Sequence, residues 1–242
     1  MRPSPDAMTT AAGRASVPGM SCGERVFADR RQAGETLARK LSRGALGSPL
    51  KVLALPRGGV PVAAPVAAAL GAPLDVMVVR KVGLPEQVEL AMGAVAPGGV
   101  TVRDRLAAQD AGRARDFERL AAAQREELIR REHRYRAGLP PLAMSGWHIL
   151  LVDDGLATGS TMLAAVRAAR AGGAASVTVA APVASREALA LLRPQADAIV
   201  VLESPPALCS IGEWYQDFDQ VGDAEVCRLL AAARAPDPAH RS

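Results

Sequence analysis

The fold is decided by one stretch, ILLVDDGLATGSTM, which runs from Ile149 to Met162. Its apolar residues have the length of a strand and end in two adjacent carboxylates, Asp153 and Asp154. A loop of Gly, Thr and Ser residues follows, and then an Ala-rich run with helical spacing at 162–170. This order predicts a buried β-strand, a polar loop and the N-terminus of an α-helix.

The loop after the strand has the composition of a phosphate-binding turn. Backbone N–H groups without partners at a helix N-terminus, together with the helix dipole, favour a bound phosphate. Two carboxylates at a strand end are able to hold vicinal hydroxyls or a metal ion. The stretch therefore predicts a receptor for a ribose 5-phosphate whose 2′- and 3′-hydroxyls are engaged.

Two other interpretations of this stretch stay open. An ordinary strand-to-helix turn of an α/β domain needs no ligand. An aspartate that accepts a phosphoryl group leaves the Thr-Gly-Ser-Thr loop at 158–161 without a role. A nucleotide-binding P-loop is excluded, because the chain contains no Gly-x-x-x-x-Gly-Lys-Ser/Thr.

The composition indicates one globular domain. The chain has 242 residues, of which 49% are hydrophobic and 22% are charged, so it is long enough to bury a core. The net charge of +4 suits small anionic substrates. No apolar run reaches the ~18 residues of a membrane span. The 3 cysteines lack metal-ligand spacing, which is typical of reduced thiols. We expect a cytoplasmic protein with no membrane partner.

Strand-like and helix-like segments alternate along the chain. We expect a disordered extension at 1–23, one domain at 24–232 and a flexible tail at 233–242. The alternation predicts an α/β fold with a central parallel sheet and right-handed crossovers. The expected strands are 51–55, 74–79, 147–152, 175–181 and 198–202, the expected helices are 27–41, 60–70, 103–136 and 185–192, and a hairpin is expected at 93–102.

The tract at 103–136 is charged and rich in alanine. We expect a solvated helix that is stabilised by charge pairs four residues apart. Its basic end, 130–136, has a composition that could contact RNA, but the interleaved Glu residues argue against a nucleic-acid partner.

A second strand-turn-helix pattern lies at 53–61, where the chain reads LALPRGGVP. Paired Gly58 and Gly59 allow the backbone to approach a ligand closely, and Arg57 adds a positive charge. The next predicted strand ends in a pair of cations, Arg80 and Lys81. Taken alone these are two solvated charges, whereas beside an anion site they are candidate ligands.

Together, the two patterns resemble the type I phosphoribosyltransferase family. The first resembles its motif for 5-phosphoribosyl-1-pyrophosphate (PRPP), and the second resembles its pyrophosphate loop. The resemblance implies an α/β, Rossmann-like fold, in which a central parallel sheet is flanked by helices and carries a small hood and a helical insertion. It extends from about Phe27 to about Leu230. Within the family it resembles one uncharacterised branch, through landmarks such as Phe27-Ala28-Asp29-Arg30 and Trp214-Tyr215-Gln216-Asp217-Phe218.

The resemblance also implies roles for individual residues. Asp153 and Asp154 would hold the ribose hydroxyls and Mg²⁺. The 5′-phosphate would be bound by Ala157, Thr158, Gly159, Ser160 and Thr161. Pyrophosphate would be bound by Arg57, Gly58, Gly59, Arg80 and Lys81. The expected catalytic residues are Asp153, Asp154, Lys81 and Arg57. The second lysine that is usual in the family's flexible loop is replaced here by Leu84 or Pro85.

Two structural expectations also come from the family. Many members have a cis peptide bond that does not precede proline in the pyrophosphate loop, and the matching bond here is Pro56–Arg57. The family covers its base with a hood, which we expect at 205–218. Within that segment, Trp214 or Tyr215 either stacks on the base or fills a hydrophobic gap.

The implied function is transfer of the 5-phosphoribosyl group of Mg·PRPP to a nitrogen nucleophile, with release of pyrophosphate. The acceptor would be a small molecule, a nucleobase above all, which the sequence does not identify. The alternative is a non-catalytic regulatory protein of the same fold that senses PRPP or a nucleotide. A homodimer is compatible with either function.

Overall fold

A computed structural model of the chain describes residues 26–84, 87–103 and 111–234. The extension expected at 1–23 lies outside these residues, as does the expected tail from residue 235 onward. The described elements, in chain order, are α1 (Arg30–Leu41), β1 (Leu50–Ala54), α2 (Gly59–Leu70), β2 (Leu74–Val76), β3 (Arg80–Leu84), β4 (Gln87–Val95), β5 (Thr101–Arg103), α3 (Ala111–Tyr135), β6 (His148–Val152), α4 (Ser160–Ala171), β7 (Ser176–Val183), α5 (Arg186–Leu192), β8 (Ala198–Glu203) and α6 (Asp223–Arg234).

Within these residues, five parallel strands form the central sheet in the order β2-β1-β6-β7-β8. The expected α/β architecture is therefore confirmed. Strand β2 lies on one side of the central pair β1–β6, whereas β7 and β8 lie on the other side. The direction of progression thus reverses between β1 and β6, which pair in register up to Ala54 and Val152. Open α/β sheets bind ligands in the crevice at the carboxyl ends of such strands.

Both faces of the central sheet are covered, which explains why its strands are continuous apolar runs. On β6, Leu150 and Val152 belong to the core shared with α1, α2, α3 and α6. Ile149 and Leu151 belong to the core shared with α4 and α5. Successive side chains of a strand point to opposite faces. The apolar run before Asp153 is thus required by the two layers of helices.

A second sheet of three antiparallel strands, β3-β4-β5, lies outside the central sheet in the described part of the chain and forms the hood. It contains the expected hairpin as β4 and β5. The strand expected at 74–79 ends already at Val76, and Arg80 begins β3 instead. The sequence analysis did not predict β3, because its cation pair was read as the end of the preceding strand.

The hood was expected at 205–218, and this placement is wrong. That segment packs against the start of the domain. Gln216 N donates to Phe27 O, and Asp217 N donates to Ala28 O. Tyr215 lies in a small apolar cluster with Phe27. The segment therefore packs beside the site, against the first described residues of the domain.

The helical insertion is α3, which occupies most of the expected range 103–136. Residue 103 is the last residue of strand β5 rather than the first of the helix, and residues 104–110 lie outside the described residues. One face of α3 is buried through Phe117, Ala121, Leu128 and Tyr135. Beside this face, Glu127 forms the expected kind of charge pair with Arg131, four residues further on. Hydrogen bonds from the two arginines Arg130 and Arg131 lower the pKa of Glu127 to about 2.

Two helices depart from expectation at the termini of the domain. Helix α1 begins at Arg30 and not at residue 27, because Asp29 Oδ1 accepts a hydrogen bond of 2.7 Å from Gln32 N and so caps the helix. Helix α6 was not predicted, although Val226 and Leu230 are buried four residues apart. No helix in the described ranges is both long and apolar enough to cross a membrane.

Candidate functional site

The two predicted loops meet at the carboxyl ends of β1 and β6. Leu55 N donates to Val152 O at 2.9 Å and joins the two strand ends. A Cβ on Gly58 would lie 2.0 Å from Asp154 Oδ2, and a Cβ on Gly59 would lie 2.7 Å from Val152 O. Both distances are shorter than any ordinary contact. Glycine is therefore required at both positions by the approach of one loop to the other.

The peptide bond Pro56–Arg57 is cis. This confirms the expectation that came from the family resemblance.

The predicted phosphate loop lies at the start of α4. Gly159 has a φ of 75°, which favours glycine, and it occupies the N-cap position without a side-chain cap. The Thr158 and Ser160 hydroxyl oxygens lie 3.0 Å apart, and Ala157 and Thr158 are exposed. N–H groups in the first turn of a helix lack partners within that helix. The loop thus offers both hydroxyl and backbone donors to an anion, with Thr161 in the same turn.

The serine that caps α5, just beyond β7, holds this loop in place. The Ser185 hydroxyl donates to the Ala157 carbonyl and accepts a hydrogen bond of 2.9 Å from Ala188 N. Leu156, just before the loop, pairs with Ala184. The sequence analysis placed Ser185 only at the start of a helix. It did not predict the hydrogen bond to Ala157, because Ala157 follows a different strand, β6.

Asp153 and Asp154 lie directly beyond β6, as expected. Asp153 Oδ1 accepts a hydrogen bond of 2.9 Å from Asp154 N. Burial, and next the charge of Asp154, raise the pKa of Asp153 well above its usual value. Two carboxylates at such close quarters favour a cation or hydroxyl donors between them.

The acidic pair fits the expected Mg²⁺ by its donor chemistry. Mg²⁺ is usually held by one or two carboxylates, with substrate oxygens and waters completing its shell. Asp153 and Asp154 supply that number. Among residues 26–84, 87–103 and 111–234, no three His, Cys, Asp or Glu side chains are grouped as a metal site of the protein alone.

Arg30 is a site residue to which the sequence analysis gave no role. Its Nε donates to Asp154 Oδ2 at 2.8 Å, and the two side chains are largely buried. The sequence analysis began this helix at residue 27 and overlooked Asp29, whose residue type is that of a helix N-cap and which places Arg30 at the start of α1. No sequence signal connects it with a carboxylate 124 positions further on.

Arg57 reaches toward α6. Its Nη1 lies 3.9 Å from Asp223 Oδ1. The same carboxylate accepts a hydrogen bond of 2.6 Å from the Tyr135 hydroxyl and pairs with Arg134. The hydrogen bonds from Tyr135 and Arg134 lower the pKa of Asp223. The predicted pyrophosphate loop is thereby connected with the C-terminal end of α3 and the first residue of α6.

The cation pair of β3 is divided between two environments. Arg80 Nε donates to Gln124 Oε1 of α3 at 3.0 Å. Its pKa is lowered by burial and next by the charge of Arg131. Lys81 is exposed. The pyrophosphate role of both residues stays a prediction, and Arg80 is engaged by the helical insertion.

Trp214 and Tyr215 are both buried, with 9% and 1% of their surfaces exposed. The Tyr215 ring lies 5.5 Å from the Phe27 ring and 4.9 Å from the Phe218 ring, measured between centroids. The Tyr215 hydroxyl donates to Asp154 O at 2.6 Å. Of the two roles considered for these residues, the structure displays the filling of a hydrophobic gap.

The chain matches a known protein family over most of its described length. The model of the phosphoribosyl transferase domain matches residues 27–214, which include both loops. The chain belongs to the phosphoribosyltransferase family. The α/β fold of that family and its extra antiparallel sheet are those described above.

Individual relatives share much of the chain. Two strains of Mycobacterium tuberculosis have a protein named "Putative phosphoribosyl transferase" that is 41% identical over 220 residues. The match covers 90% of this chain but 48% of theirs, so the chain spans about half the length of the curated relatives it matches. The crystal structure of TT1426 from Thermus thermophilus is 45% identical, with a TM-score of 0.75, and the match covers 85% of this chain and 98% of that one.

Proposed function

We propose that the protein binds Mg·PRPP and transfers the 5-phosphoribosyl group to a nitrogen nucleophile, with a nucleobase as the acceptor class. The observation that carries the proposal is the contact between the two loops. The Asp154 carboxylate lies so close to Gly58 that no side chain fits between them. A ligand that touches the acidic pair is therefore also within reach of the pyrophosphate loop, and PRPP has groups for both.

Each polar or charged part of PRPP would be bound by a different loop. Backbone N–H groups of residues 157–161 would bind the 5′-phosphate at the start of α4. Asp153 and Asp154 would accept hydrogen bonds from the ribose hydroxyls. Arg57 and the backbone of Gly58 and Gly59 would bind pyrophosphate.

The reaction replaces the bond from C1 to pyrophosphate with a bond from C1 to nitrogen. Positive charge develops on the ribose ring while negative charge develops on the leaving group. Carboxylates beside the ring and cationic or N–H groups at the pyrophosphate favour both changes, and a fixed site provides them without reorganisation. Correct alignment of the nucleophile with C1 lowers the barrier further. Mg²⁺, when bound to ligand oxygens and to Asp153 or Asp154, would supply further neutralisation of the leaving group.

A turnover assay tests the proposal. Purified protein is mixed with Mg²⁺, PRPP and one base from a panel, and pyrophosphate release is measured. Release that requires both PRPP and a particular base supports the transferase. Binding of Mg·PRPP without release for any base would indicate the regulatory alternative. Arg31→Ala is the control variant. It should release pyrophosphate as the wild type does, because the Arg31 side chain is 81% exposed and pairs with Glu35 on its own helix.

A further inference from the structure

Two adjacent arginines at the start of α1 have opposite environments. The Arg31 side chain is 81% exposed, whereas the Arg30 side chain is only 11% exposed. Arg30 extends from α1 to the carboxyl end of β6. Burial of an arginine at the edge of a binding crevice requires partners for its charge and its donors.

Three contacts fix the Arg30 guanidinium. Its Nε donates to Asp154 Oδ2 at 2.8 Å, and its Nη1 donates to Asp219 O at 2.8 Å. The carbon at its centre lies 3.7 Å from the centroid of the Phe218 ring. A planar group that uses two donors in its plane and rests one face on an aromatic ring has a single orientation.

Asp154 is fixed in turn. Its Oδ2 lies between Arg30 and Gly58, where a Cβ would approach within 2.0 Å. Its carbonyl accepts a hydrogen bond of 2.6 Å from the Tyr215 hydroxyl, and its N–H donates to Asp153 Oδ1. The ion pair with Arg30 thus engages Oδ2 of a carboxylate whose main chain is held on both sides.

We infer that Arg30 is a positioning residue of the site, which holds the Asp154 carboxylate against Gly58 in the orientation that binds a ribose hydroxyl. This inference rests on the proposed function of the site. Arg30 touches no reacting atom in this role. It acts through Asp154, and Phe218 and Asp219 keep its guanidinium in place.

A double-mutant cycle tests the inference. Calorimetric titration measures the affinity for Mg·PRPP of the wild type, Arg30→Met, Asp154→Asn and the double variant. We expect Arg30→Met to lower the affinity at least about tenfold, which corresponds to ~1.4 kcal/mol. In the Asp154→Asn background the same substitution should change affinity by no more than about twofold, because the residue through which it acts has lost its charge. Arg31→Met, the matched control, should also stay within about twofold.

The outcomes separate this inference from the function on which it rests. If the wild type binds and Arg30→Met binds equally well, or loses the same factor in both backgrounds, the positioning role is overturned and the proposed function stands. If the folded wild type does not bind Mg·PRPP, both are overturned. Should Arg30→Met fail to fold, Arg30→Lys keeps the charge but lacks the planar fork. The same cycle with that variant has the same two outcomes.

Discussion

Substitution of Gly58 by alanine tests the approach of the two loops. Gly58 has φ −59° and ψ −34°, a right-handed helical conformation that alanine adopts without strain. The substitution therefore adds only a methyl group. That carbon would lie 2.0 Å from Asp154 Oδ2 and 2.6 Å from its Cγ, whereas ordinary contacts begin at 3.4 Å. Either the Asp154 carboxylate or the backbone of the Gly58 loop has to shift by about 1.4 Å.

The cost of that movement follows from the contacts of Asp154. The carboxylate cannot turn away without losing its hydrogen bond from Arg30, and hydrogen bonds to charged groups contribute roughly 1.5–3 kcal/mol. Keeping the carboxylate in place instead compresses the loop, at about 1–3 kcal/mol. We expect Gly58→Ala to lower the free energy of unfolding by about 1–3 kcal/mol and the affinity for Mg·PRPP at least about tenfold.

Denaturant unfolding and calorimetric titration measure the two effects. Gly44→Ala is the matched control, since its Cβ would lie 3.6 Å from the nearest atom, Leu41 O. It should change stability by less than about 0.5 kcal/mol. In an Asp154→Ala background the methyl group at residue 58 meets no carboxylate, so Gly58→Ala should cost little stability there. The steric argument is refuted by wild-type stability and affinity in Gly58→Ala, or by an equal loss of stability in both backgrounds.

Three further substitutions test other parts of the site and fold. Lys81→Ala should weaken Mg·PRPP binding and slow turnover while stability changes by less than about 0.5 kcal/mol; unchanged kinetic constants would make Lys81 a surface charge only. Tyr215→Phe removes the donor to the Asp154 carbonyl and should lower the free energy of unfolding by about 1 kcal/mol, a prediction that an unchanged denaturation midpoint would contradict. In the folded protein, the hydrogen bond from Val177 N lowers the pKa of Asp197 below its ordinary value of 3.8. The ionised carboxylate therefore stabilises the fold at a pH above 3.8, and this stabilisation is lost as the pH falls through the lowered pKa. The difference in melting temperature between Asp197→Asn and the wild type should accordingly become smaller below pH 3.8. A difference that stays constant across the pH range would contradict a stabilising role of the ionised carboxylate.

The features that depend on local sequence were predictable. The apolar run before Asp153 is buried on both faces, and its length sets the strand. Gly58 is needed for the close approach of the loops, and Gly159 is needed for its positive φ. In the sequence, each lies between an expected strand and an expected helix. The helix expected at 185–192 is present, and Ser185 is its N-cap, a position that serine favours.

The features that depend on distant partners were not predictable. Arg30 pairs with a residue 124 positions away, and Tyr135 bonds to a residue 88 positions away. A lone arginine or tyrosine at a helix end has the same local pattern whether it is solvated or paired. Strand β3 was missed because its partner β4 makes it a strand, while its own sequence, RKVGL, has little alternation. The hood was misplaced because aromatic residues at 214–218 suit both a base site and a core.

Titration of Mg·PRPP into the wild type and into Asp153→Asn/Asp154→Asn most directly decides whether the acidic pair binds the ribose of PRPP. We expect the wild type to bind. We expect the double variant to keep its fold and to lose affinity at least about a hundredfold, since each charged hydrogen bond contributes roughly 1.5–3 kcal/mol. Equal affinities of the two proteins, or no binding by the folded wild type, would contradict the assignment of the site and the transferase with it.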